Sequence, residues 1–182
     1  MFGKKKVDPQ QAADAFIAHT FGAANETFDD WIQALSVTTG KACDVDGPWL
    51  GTYMERQHQK RPLNYLWAAA LIAQEAMAIR VCLEPRAANA VLGALHRGLS
   101  TGSEAHWFPE TVFRYIDAES KRQGMYDQPL LTAFLTDMGY RDEPRLVSLI
   151  GHPIWSLPLV EALLTATPAY WKRFAEKSQI RV

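Results

Sequence analysis

The stretch that decides the fold runs from residue 62 to residue 99 and reads PLNYLWAAALIAQEAMAIRVCLEPRAANAVLGALHRGL. Pro62 and Pro85 each precede a run of apolar residues that recur at spacings of three and four. Proline fits the first turn of an α-helix, because its missing N–H would have no intrahelical partner there and its fixed φ suits a helix. The stretch therefore predicts two successive helices, and the wide apolar face of the first predicts a central position in a bundle.

The same proline signal recurs along the rest of the chain. Eight of the ten prolines precede an apolar stripe with helical spacing: Pro9, Pro62, Pro85, Pro109, Pro129, Pro144, Pro158 and Pro168. The sequence lacks the period-two alternation with β-branched residues that is typical of strands, so we expect no sheet. We predict a single all-α domain over residues 1–182, an irregular bundle of about eight to ten short helices.

Glycines and charges mark the expected boundaries near the N-terminus. Residues 1–7 include Lys4–Lys6 and are predicted to form a flexible, solvated basic tip. A first helix should begin at Pro9 and stop at Gly22, and a second should begin around residues 25–27 and end before Gly40. Residues 40–51, GKACDVDGPWLG, are predicted to form a loop because glycine and proline recur in them.

Composition and charge argue for a protein of the cytoplasm that binds neither nucleic acid nor membranes. The net charge is −1 and both signs are mixed along the chain, so no basic surface is expected to attract nucleic acid. Cys43 and Cys82 are isolated thiols rather than a disulfide framework. Residues 63–83 could cross a bilayer, but Glu75 and Arg80 interrupt them, and such a charge costs about 2.5–3.5 kcal/mol at the membrane centre. A buried helix explains this segment better, and no cofactor is predicted.

One cluster of ionisable residues is a candidate metal or acid–base site. His96, Glu104 and His106 fall in residues 96–107, which contain glycines and serines and are predicted to form a flexible loop after a helix. Two imidazoles and one carboxylate could bind a transition metal or act as an acid–base pair. His96 has a structural alternative, because a histidine at a helix C-terminus can hydrogen-bond the last carbonyls.

Three tryptophans lie in predicted loops and are candidate binding residues. Trp49, Trp107 and Trp155 stand beside glycine, proline or histidine rather than on a helical stripe. Tryptophan in such a position either fills the end of a helical bundle or anchors a partner on the surface, since it buries a large area at low entropic cost. Both interpretations remain open from the sequence.

The sequence favours a binding protein over an enzyme. It contains none of the patterns GxxxxGK[ST], HExxH and GxGxxG. Our leading hypothesis is a protein-binding or regulatory module of the cytoplasm, for example an immunity-type inhibitor of a toxin or enzyme. The alternatives are a metal-dependent or acid–base enzyme that uses residues 96–107, and a helical pocket for a hydrophobic ligand or cofactor.

Overall fold

Helices make up most of the computed structural model, which describes residues 4–102, 106–124, 128–150 and 169–182. The described residues form seven α-helices: α1 (Pro9–Cys43), α2 (Gly47–Lys60), α3 (Leu63–Cys82), α4 (Pro85–Gly102), α5 (Trp107–Ser120), α6 (Pro129–Asp137) and α7 (Tyr170–Lys177). Val147–Leu149 add one turn of 3-10 helix. The predicted all-α class is confirmed, although these parts of the chain hold seven helices rather than eight to ten.

Proline at the helix starts proved a good guide to local structure. Of the eight prolines predicted to precede helices, five lie at the N-cap or in the first turn of a described helix: Pro9, Pro62, Pro85, Pro109 and Pro129. Pro144 lies in a turn and starts no α-helix, whereas Pro48 is the second residue of α2 instead of part of a loop. Pro158 and Pro168 lie outside the described residues.

The N-terminal third of the chain differs from the predicted pair of short helices, because α1 is continuous over 35 residues. Gly22 does not end it, and a Cβ at this exposed position would meet nothing within 4 Å. A glycine inside a helix costs only about 1 kcal/mol relative to alanine. Helix α1 packs against α3 and α4, and we infer that this packing offsets the cost. The helix ends only after Gly40, where Asp44 adopts the left-handed conformation.

A two-stranded parallel sheet corrects the prediction of no sheet, and it includes residues 5–7 of the predicted N-terminal tip. Strand β1 (Lys5–Val7) pairs with strand β2 (Ser178–Ile180), and Val7 is opposite Ile180. The Lys4 ammonium also donates a hydrogen bond to the Ala175 carbonyl. Each strand is only three residues long. Pairing across almost the entire chain length leaves no local pattern in the sequence, which is why the strands were missed.

Helix α3 forms the centre of the core and packs against α1, α5 and α7. Trp67 stacks on Trp31 of α1 with ring centroids 4.6 Å apart, and its indole N–H donates to the Thr27 hydroxyl at 3.0 Å. Leu71, one turn further on, is fully buried. By length and composition alone, α3 is the one helix in the described residues that could span a membrane, and 61% of its apolar window is buried inside the protein.

The buried carboxylate of Glu75 on α3 holds the C-terminal helix in place. Helix α7 has no side-chain cap of its own, and its N-cap Ala169 is left-handed with φ of 47°. Glu75 is 3% exposed and accepts a hydrogen bond from the Tyr170 backbone N–H at 3.1 Å. A carboxylate at this end satisfies backbone donors that the helix itself leaves free. Burial raises the pKa of Glu75, and backbone hydrogen bonds and His19 oppose that rise.

We expect the variant Glu75→Gln to remove a pH dependence from the stability of the protein. Because the folded-state pKa of Glu75 lies above its ordinary value of 4.5, the folded protein binds this proton more tightly than the unfolded chain does. The free energy of unfolding should therefore fall as the pH rises from 4.5 through the folded-state pKa. Urea titrations between about pH 4 and 8 measure this fall against the variant, and parallel pH curves for the two proteins would contradict the assignment.

Candidate functional site

A polar cleft of about 480 Å³ lies where the second half of α2 faces the end of α6 and the turns that follow it. Its lining residues are Tyr53, Arg56, Gln57, Lys60, Arg61, Thr136, Asp137, Gly139, Asp142 and Glu143. Four of these residues lie within α2, and their spacings of three and four place their side chains on one face of that helix: Tyr53, Arg56, Gln57 and Lys60. The volume falls within the roughly 300–1,000 Å³ that is typical of ligand pockets.

The two walls of the cleft carry opposite charges. The cations lie on α2 and its C-cap and the carboxylates lie on the segment 137–143: Arg56, Lys60 and Arg61 against Asp137, Asp142 and Glu143. Six of the ten lining residues are therefore charged, and the wall charges sum to zero. Such a site suits a polar ligand or a charged protein segment better than an apolar molecule.

Asp137 connects the cleft to the core of the bundle. Its side chain is 9% exposed and accepts hydrogen bonds from the Tyr115 hydroxyl at 2.7 Å and from the Arg114 guanidinium at 2.5 Å. The Arg61 guanidinium lies 3.5 Å away on the side of α2. Burial, and then the charge of Asp137, raise the pKa of Tyr115 well above its ordinary value, so this hydroxyl stays a donor. The carboxylate thereby joins α6 to α5 and to the end of α2.

Tyr53 and Gly139 line the cleft next to each other. The Tyr53 hydroxyl donates to the Met138 carbonyl at 3.1 Å. Burial, followed by the nearby carboxylates of Glu143 and Asp142, raises the pKa of Tyr53 to about 12. Gly139 has φ of +81°, and a Cβ there would lie 2.8 Å from the Tyr53 hydroxyl oxygen. Only glycine lets the backbone turn this close to the tyrosine.

We expect Gly139→Ala to lower the free energy of unfolding by about 1–2 kcal/mol, because an L-residue is strained in this conformation. The matched control is Gly51→Ala in α2, where a Cβ would meet nothing within 4 Å. That change should stabilise the helix by up to about 1 kcal/mol. Chemical denaturation measures both variants, and equal effects of the same sign would contradict the role given to Gly139.

Trp107 contacts the cleft through the cation on its wall. It is the first residue of α5 and is half-buried, and the Arg61 guanidinium lies over its ring at 5.4 Å from the centroid. Tyr65 and Phe108 also lie beside this ring, with centroids 6.5 and 6.1 Å away. Arg61 therefore pairs with Asp137 and also lies over Trp107, which is one of the predicted binding residues.

Trp49 contacts the cleft through Tyr53, which is one of its lining residues. It lies in the first turn of α2, is half-buried, and stacks on Tyr53 with ring centroids 5.5 Å apart. The Arg145 guanidinium lies over the Trp49 ring at 4.9 Å from the centroid. We call the cleft together with Trp49 and Trp107 the cleft face. The third predicted tryptophan, Trp155, lies outside the described residues.

The predicted loop at 96–107 is wrong for most of its length, because α4 continues to Gly102. His96 is an exposed residue within α4, and its ring lies 4.8 Å from that of Phe113. His106 is exposed and directly precedes α5, whereas Glu104 lies outside the described residues. Across the residues described, no three histidine, cysteine or acidic side chains come together as a metal site. A metal at His96, Glu104 and His106 remains a prediction.

The charged residues of the cleft were missed at the sequence level. Arg61 and Asp137 are separated by 76 positions, and neither stands in a recognisable motif. One available signal was the group of basic residues at the end of α2, followed directly by Pro62. This pattern indicates exposed cations at a helix C-terminus, where they complement the helix dipole, but it does not identify their neighbours.

The comparisons with known proteins do not indicate a function for this chain. No protein-family model matches the sequence, and no significant match was found among curated proteins or solved structures.

Proposed function

We propose that this chain is a protein-binding or regulatory module of the cytoplasm and that it presents the cleft face to a protein partner. The observation that carries the proposal is the arrangement of two half-buried tryptophans, each covered by an arginine, against the walls of one cleft. Trp49 stacks on Tyr53, and Arg61 lies over Trp107. Tryptophan, tyrosine and arginine are the residue types that dominate binding energy at protein interfaces.

The polarity of the cleft supports a protein partner over the other candidate ligands. A hydrophobic ligand would leave the charged walls without water or partners, which is unfavourable. The opposed charges instead favour recognition of a protein surface with complementary charges, which speeds association and excludes wrong partners. Inhibition of a toxin or enzyme, as by an immunity protein, is the concrete form that we propose. The free thiols of Cys43 and Cys82 support a reducing compartment.

Affinity capture from cells of the source organism tests this function. The tagged wild-type chain is compared with Arg56→Glu combined with Lys60→Glu, two exposed positions on the cleft. Arg86→Glu combined with Arg97→Glu makes the same change in charge on the exposed side of α4 and serves as the control. Circular dichroism establishes that all three proteins are folded.

We expect the wild type and the α4 control to retain the same protein, and the cleft variant to retain about tenfold less of it. Equal capture by all three proteins would show that the partner binds elsewhere. Capture of no specific protein by the wild type would contradict the proposed function itself.

A further inference from the structure

The cleft presents two sets of charges that stay apart from one another. Arg56 and Lys60 are one helical turn apart on α2, and both are exposed. Across the cleft, Asp142 is exposed and Glu143 is half-buried. Within the described parts of the chain, none of these four residues forms an ion pair within 4 Å, whereas Asp137 is paired with Arg61 and Arg114. Asp137 is thus paired, whereas the two cations on α2 and the two carboxylates of residues 142 and 143 are left without an ion-pair partner in the described residues.

A ligand with charges of one sign meets one favourable wall and one repulsive wall. Like charges brought together oppose binding, and they are a means by which interfaces exclude wrong partners. A ligand with both signs in the right order is attracted by both walls. The cleft volume of about 480 Å³ leaves room for a short chain segment with its side chains.

We propose that the cleft binds a segment of the partner protein that carries an acidic and a basic side chain. The acidic side chain lies against Arg56 and Lys60, and the basic one lies against Asp142 and Glu143. This inference rests on the proposed function, because it names the chemistry of the partner at the same face. The Tyr53 hydroxyl donates to Met138 and its raised pKa keeps it neutral, so it adds no charge to either wall.

Four short peptide probes test this chemistry directly. They are end-capped, carry the same fluorophore, and differ in only two positions, which hold Glu and Lys, Glu and Glu, Lys and Lys, or Gln and Gln. Fluorescence anisotropy measures their binding to the full chain at low salt, since screening weakens exposed charge pairs. We expect the mixed peptide to bind about fivefold more tightly than each of the others, the size that a few exposed ion pairs can supply.

Charge reversal of one wall at a time makes the test specific. Arg56→Glu with Lys60→Glu gives two anionic walls, so the peptide with two lysines should become the tightest ligand. Asp142→Lys with Glu143→Lys gives two cationic walls, so the peptide with two glutamates should become the tightest. Circular dichroism checks that each variant is folded. Equal binding of the four peptides, or an order that does not change with the walls, would overturn the inference.

The two proposals fail in different ways. If the peptides show no charge preference but capture of a partner still depends on Arg56 and Lys60, the mixed-charge segment is wrong and the binding function stands. If the charge preference is found but no partner is captured from cells, the cleft has the inferred selectivity and the cellular function is wrong.

Discussion

Replacement of Trp67 by alanine is expected to lower the free energy of unfolding by about 3–5 kcal/mol. The side chain is 1% exposed and stacks on Trp31 of α1, so its removal leaves a cavity in the core. The indole N–H that donates to Thr27 is lost with it, which leaves the threonine hydroxyl without that donor. Urea denaturation followed by circular dichroism measures the change.

The same helix provides the control for this variant. Val81 is 86% exposed, and Val81→Ala should change the free energy of unfolding by no more than about 0.5 kcal/mol. A loss below about 1 kcal/mol for Trp67→Ala would mean that α3 is not the centre of the core.

The second large effect is expected at the carboxylate that joins the cleft to the core. Asp137→Ala should lower the free energy of unfolding by about 2–3 kcal/mol, because the buried Tyr115 hydroxyl loses its acceptor. Arg114 and Arg61 contribute little to this cost, since about two fifths of each side chain is exposed and water screens the ion pairs. Denaturation measured at two salt concentrations should give similar losses.

A double-mutant cycle with Tyr115→Phe separates these contributions. When the hydroxyl is absent, Asp137→Ala should cost less than about 1 kcal/mol. Equal costs of Asp137→Ala in the two backgrounds would show that Tyr115 does not depend on the carboxylate.

The local structure of much of the chain follows from sequence. Proline in the first turn, together with apolar residues at helical spacing, depends on interactions within a few residues, so the starts at Pro62 and Pro85 were predicted. The burial of α3 was predicted for the same reason, because its apolar face is wide. Gly22 misled the prediction because its local cost is small against the packing along α1.

Features that join distant residues could not be predicted. Strands β1 and β2 pair at the two ends of the chain, and three residues carry too little pattern to indicate a sheet. The cleft is a similar case. Trp49 and Trp107 were singled out by their chemistry. Arg56 and Asp137 could not be assigned to one cleft, because they line it only when α2 and α6 come together. Their partners depend on packing between helices, which a single sequence does not encode at a fixed spacing.

Site-specific photo-cross-linking in living cells tests most directly whether the cleft face binds a protein. A photoreactive amino acid replaces the exposed Lys60 at the cleft, and in a second variant it replaces the exposed Arg80. Arg80 lies near the far end of α3, about 25 Å along the helix from Leu63, and serves as the control position. We expect a discrete cross-linked protein from position 60 and none from position 80. Cross-linking from position 80 alone, or from neither position, would contradict it.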